Sequence, residues 1–172
     1  MFEVHAHIDI NLPREQCWEK LKDLSLAANY IPDVTRIAFI TDQKQGVGTQ
    51  RTALSSKWPT WSHETVISWV DGYSFSLRLH RGKKRTFFWF DELQFHYLLE
   101  DIESATRFKP SISYIPRFKQ TTDISTKMLT QKLWVICHAM KKYYETNVPV
   151  SPKNMMLLNE EIAAQNFQRR EH

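Results

Sequence analysis

The chain has 172 residues, a formal net charge of +4, 42% hydrophobic residues and 24% charged residues, which suits one folded domain with a real core and excludes a disordered chain. Ten Phe, six Trp and six Tyr stand against only four Gly, so rings are in supply for more than a minimal core: a ring-lined cavity or an interaction surface. No apolar run is long enough for a membrane-crossing helix, the start Met1-Phe2-Glu3-Val4-His5 lacks a secretory pattern, and Cys17 and Cys137 have neither metal nor redox spacing, which predicts a reduced, cytoplasmic setting.

In chain order, residues 3 to 11 alternate, with Val4, Ala6, Ile8 and Ile10 on one side and Glu3, His5, His7 and Asp9 on the other. That pattern predicts a half-buried strand. Pro13-Arg14-Glu15 opens a helix with Cys17, Trp18, Leu21 and Leu24 as its apolar stripe, and a second short helix around Leu26 to Tyr30 stops at Ile31-Pro32. From Val34 to about Pro116 the period becomes two, broken by turn signals of which Asp71-Gly72 is the clearest; the reading is an antiparallel meander of six strands. After Phe118 the period returns to 3.6. Leu129, Leu133, Ile136, Met140 and Tyr143/Tyr144 form one stripe on a long helix predicted from roughly Asp123 to Glu145. A tail over 149–172, with Met155, Met156, Leu158, Ile162 and Phe167, predicts a last helix docked on the 1–148 domain or on a partner subunit. The class is α+β: a curved antiparallel seven-stranded sheet wrapped around the long helix, with two short helices after the first strand.

Chemistry-bearing motifs are few. Gly46-Val47-Gly48 opens a strand and not a helix, so it reads as a turn and not a phosphate loop. His5 and His7 share the polar side of their strand without a third ligand, so no metal is expected. No nucleophile motif is present, and the catalytic residues stay unknown. Tyr30, Arg51, Glu64, Tyr97 and Tyr114 are the polar groups able to face an interior. Arg51 and Glu64 pair either inward, where they would orient a ligand carbonyl or carboxylate, or on the surface as an ordinary ion pair. Apolar lining is expected from Tyr73, Phe75 and Leu77 on one strand, from Phe108, Ile112 and Tyr114 further on, and from Leu133 and Ile136 on the long helix. Hairpin counting places Lys57–Trp61, Arg81–Arg85 and Arg117–Lys119 at one end of the sheet. There Trp58, Trp61, Lys83, Lys84, Arg85, Phe87, Phe88 and Trp89 would form a basic, aromatic rim suited to an anionic membrane or an acidic partner, with nucleic acid disfavoured.

Local sequence adds a family. Ile8-Asp9-Ile10-Asn11-Leu12-Pro13-Arg14-Glu15-Gln16-Cys17-Trp18, Tyr30-Ile31-Pro32-Asp33-Val34, Gly46-Val47-Gly48-Thr49-Gln50-Arg51-Thr52 and Glu64-Thr65-Val66 resemble the opening segments of the START/SRPBCC superfamily. The resemblance covers about residues 3 to 147 and is nearest to the polyketide cyclase/dehydrase and lipid-transport-like branch. It implies the helix-grip fold and a hydrophobic ligand, such as a lipid, quinone, polyketide-like or aromatic molecule, held between sheet and helix. A cyclase or dehydratase using the same cavity without metal or nucleotide cofactor is the alternative, and a partner-binding module using only the rim is a third reading. The assembly would be a monomer or a homodimer.

Overall fold

The computed structural model describes residues 1–57, 60–81, 89–150 and residue 160. Strands β1 (Phe2–His5) and β2 (Ile8–Ile10) lead into helix α1 (Arg14–Leu21), a 3₁₀ turn (Leu24–Leu26) and helix α2 (Ala27–Tyr30). Strands β3 (Val34–Phe39), β4 (Gln50–Ser55), β5 (Trp61–Val70), β6 (Ser74–His80), β7 (Phe90–Ile102), β8 (Ala105–Phe108) and β9 (Ser111–Pro116) follow, and helix α3 (Thr122–Thr146) comes last. Strand order is β1-β9-β7-β6-β5-β4-β3, all antiparallel, with β2 on β8 and β8 on β7. The seven-stranded expectation holds when β1/β2 and β8/β9 are each taken as one strand broken in the middle. Each half then pairs with the matching half of its neighbour, β1 with β9 and β2 with β8.

The long helix runs within one residue of the predicted span at each end. Its stop has a local cause: Asn147 adopts a left-handed φ of 58° and its N–H donates to the Tyr143 carbonyl at 2.8 Å, the usual geometry for ending a helix. Lys20 Nζ then donates to the Tyr144 carbonyl and to Asn147 Oδ1, both at 2.7 Å. One turn earlier, Lys141 Nζ donates to the Asp9 carbonyl at 2.7 Å. These bonds fix α3 against the N-terminal strands and α1. Its backbone runs close to β1, β2, β9 and α2 and stands farther from β4, β5 and β6. After α3 the chain turns back, and the buried Val150 donates its N–H to the Asn29 carbonyl at 2.8 Å; apart from Pro149, Val150 and residue 160, the predicted tail lies outside the described residues.

Two irregularities set which residues face inward. At β5 the register shifts between Val66 and Ser68, a bulge that leaves Ile67 on the surface. Trp69 therefore shares the face of its cross-strand partner Phe75 and packs on it at 5.5 Å between ring centres. Between β5 and β6 the connection has three residues, Asp71-Gly72-Tyr73, with Gly72 at φ 81°. Cys17 and Cys137 are free and buried, and burial pushes the Cys137 thiol up to about 12. His5 and His7 are exposed on the outer side of the N-terminal segment.

Candidate functional site

The concave face of the sheet carries two kinds of lining. On β6, β7 and β8 it is aromatic. Phe75 and Tyr97 are cross-strand partners with ring centres 4.6 Å apart, Phe95 stacks on Tyr97 at 4.5 Å, and Phe108 lies 6.0 Å beyond. Leu77, Ile112 and Tyr114 are buried on the same face, and Leu133 and Ile136 of α3 are buried opposite. Tyr114 does not offer its hydroxyl to this space, because that oxygen is 2.6 Å from Thr126 Oγ1 on α3.

On β4 and β5 the lining is polar. Arg51 and Glu64 are direct cross-strand partners, 1% and 6% exposed, with Arg51 Nε donating to Glu64 Oε2 at 2.7 Å. Strand alternation puts them inward: Arg51 shares a face with buried Thr49 and Ala53, and Glu64 with buried Val66. The choice left open by sequence is thereby resolved in favour of the interior pair. A second donor, Arg51 Nη1, reaches the Leu24 carbonyl in the 3₁₀ turn, so the guanidinium ties the sheet to the helices below it. Burial is the largest influence and works against the guanidinium charge, yet the Glu64 carboxylate with its hydrogen bond and the nearby Tyr30 and Tyr97 together hold the Arg51 pKa above its ordinary value. Arg51 thus carries a buried charge that is matched by one close carboxylate and one carbonyl.

Two phenols complete this pole. Tyr30 of α2 and Tyr97 of β7 are almost fully buried. Burial holds both hydroxyls well above the ordinary tyrosine range, and each phenol feels the charges of Arg51 and Glu64. Tyr30 also stands edge-on to Tyr144 of α3 at 5.8 Å, whose own buried hydroxyl has no partner, and the same is true of the Thr49 hydroxyl. Among the described residues, the hydroxyls of Thr49 and Tyr144 and Arg81 Nε are the buried side-chain polar atoms without a hydrogen-bond partner. Native interiors rarely leave such groups unanswered. Thr49 and Tyr144 are the members that sequence reasoning missed. Alternation with Arg51 and the i+4 spacing from Met140 put them on the right faces, but neither carries a charge to draw attention.

One expected lining residue is misplaced. Tyr73 is 45% exposed and lies under the Arg14 guanidinium, 4.0 Å from the ring centre. The sequence reading treated Asp71-Gly72 as a two-residue turn with Tyr73 inside the strand. The loop takes three residues, its Gly72 carbonyl is held by Arg14 Nη1, and the ring is carried out to the surface.

Of the expected rim, Trp58, Lys83, Lys84, Arg85, Phe87 and Phe88 lie outside the described residues. Trp61 is half-buried under the Arg81 guanidinium at 4.5 Å. Trp89 is exposed next to buried Phe90.

No family model matches this sequence, and no curated protein matches it either. Solved structures do. A START superfamily protein from Mycobacterium smegmatis superposes with a TM-score of 0.70 at 10% identity, over 85% of this chain and 99% of that one. Ginseng major latex-like protein 151 from Panax ginseng gives 0.68 at 11% identity, over 83% and 97%. Ara h 8.0201 gives 0.65 at 14% identity, again over 83% and 97%. At such identities the likeness concerns the backbone, and with the element order above it is sufficient for one conclusion: the chain has the helix-grip fold of the START/SRPBCC superfamily.

Proposed function

We propose that this protein binds a hydrophobic small molecule between the sheet and α3, with the aromatic wall supplying contact area and the Arg51–Glu64 pole fixing orientation. The observation that carries the reading is the pole itself. Buried ion pairs cost desolvation energy that well-packed apolar residues would not, and this one lies near two buried hydroxyls, those of Thr49 and Tyr144, that have no protein partner. A ligand with one polar end would answer those groups while its apolar body lay on Phe75, Tyr97 and Phe108. Wall burial at about 25 cal/mol per Å² would provide most of the affinity. The fold is shared with START and latex-like proteins, which supports a ligand-holding architecture in general terms.

Binding is favoured over proton-transfer chemistry by the state of the pole. Tyr30 and Tyr97 stay protonated at neutral pH, so they can donate hydrogen bonds but cannot serve as bases. Glu64 is held by Arg51. A cyclase or dehydratase would need one of these groups freed.

The test is a space-filling substitution, Leu77→Trp, read with an uncharged environment-sensitive dye such as Nile red. The expected result is saturable dye binding by the wild type and its loss in a variant that keeps the wild-type unfolding midpoint. Overpacking a filled core instead costs about 1–3 kcal/mol. A variant destabilised by that amount, alongside a wild type that takes up no dye, would contradict the reading.

A further inference from the structure

The outward face of α3 carries an apolar ridge that neither the core nor the candidate ligand site uses. Ile124 is 71% exposed and Met128 50% exposed, while Ser125, Leu129, Leu133 and Ile136 on the inner face are buried. At 3.6 residues per turn, Ile124, Met128 and the half-buried Val135 fall within about 40° of one another on the helix surface. Exposed lysines border the ridge on both sides, Lys127 on one and Lys132 on the other. Lys119 and Phe118, both exposed, stand at the entry to the helix.

The charge on this face is one-sided. Arg14, Lys22, Arg51, Lys57, Arg107, Lys109, Arg117 and Lys141 each have a carboxylate at ion-pair distance. Among the described residues, Lys119, Lys127 and Lys132 have none. Asp123 is the only acid between Phe118 and Lys142. Apolar side chains flanked by long cations whose stems lie along the apolar strip suit a surface that is greasy in its middle and negative around it.

We propose that this face docks on an anionic lipid bilayer, with Ile124 and Met128 entering the headgroup boundary and Lys119, Lys127 and Lys132 meeting lipid phosphates. A second copy of the chain fits worse. A two-fold contact would set the same lysines against their own copies with only Asp123 to answer them. The inference does not depend on the ligand site, because α3 presents its opposite face to the sheet.

The experiment is flotation of the full chain with phosphatidylcholine vesicles, with and without phosphatidylglycerol. The wild type is expected to float with the phosphatidylglycerol vesicles and not with the neutral ones. Ile124→Ser combined with Met128→Ser should lower the bound fraction about tenfold or more. Lys127→Gln combined with Lys132→Gln should do the same by removing the response to phosphatidylglycerol. All four side chains are exposed or border exposed surface, so unchanged unfolding midpoints are expected and serve as the folding control. Absence of wild-type flotation, equal flotation with neutral vesicles, or flotation unaffected by the double serine variant would each overturn the proposal. Light scattering adds one more contrary outcome: a dimer that the serine variant splits, with no flotation, assigns the ridge to self-association.

Discussion

The aromatic wall and the polar pole occupy the same concave face and handle burial in opposite ways. On β6–β9 the rings stack on one another and the one phenol nearest α3, Tyr114, has its hydroxyl matched by Thr126. That side is self-sufficient. On β4, β5 and α2 the protein buries two charges and the Tyr30 phenol, and the nearby buried hydroxyls of Thr49 and Tyr144 have no protein partner. Under the proposed reading, the second region is where the polar end of a ligand would sit.

The sharpest way to break the comparison is to cut the ion pair. Arg51→Met leaves Glu64 buried without a cation and should lower stability by about 3–5 kcal/mol in urea unfolding, whereas Arg51→Met with Glu64→Leu should recover most of that loss. A single-variant loss below about 1 kcal/mol would mean that the pair behaves as a surface pair.

Next in size is the alkaline response. Burial holds Tyr30, Tyr97 and Tyr144 protonated in the fold above the ordinary tyrosine range, while in the unfolded chain they ionise near about pH 10. Above that pH the unfolded chain binds fewer protons than the folded one, so unfolding becomes easier as pH rises. Stability should be fully kept below about pH 10 and fall beyond it, and Tyr30→Phe with Tyr97→Phe should flatten that fall in urea titrations run at successive pH values.

Two hydroxyl deletions then contrast the regions directly. Tyr114→Phe removes the 2.6 Å bond to Thr126 and should cost about 1 kcal/mol. Tyr144→Phe removes a buried hydroxyl with no protein partner, so stability should move by less than about 0.5 kcal/mol while the affinity for a polar-ended ligand drops. Equal stability losses for the two would erase the distinction between wall and pole.

Much of this was legible beforehand because periodicity carries it. The α3 stripe and the strand alternation around Phe75, Tyr97, Phe108 and Ile112 gave the elements and their inner faces. The resemblance over about residues 3 to 147 to a known superfamily implied how they connect. What alternation cannot reveal is where it is interrupted. The bulge at Ile67 turns Trp69 inward, and the three-residue loop around Gly72 turns Tyr73 outward; both depend on backbone conformations at single residues. Alternation also sorts side chains into two faces without saying which is buried when both carry polar groups. For that reason Arg51 and Glu64 could be paired from their sequence positions but not placed. The ridge of Ile124 and Met128 was hidden for a related reason: in a helix that is apolar on its inner face, a few more apolar residues on the outer one do not disturb the stripe.

Whether the pole and the wall together hold an apolar molecule is tested most directly by native mass spectrometry of the protein purified from cells. The wild type should carry a small molecule of apolar character that is absent from the folded Arg51→Met/Glu64→Leu variant. A wild-type spectrum showing the bare polypeptide mass, or the same adduct on both proteins, would contradict it.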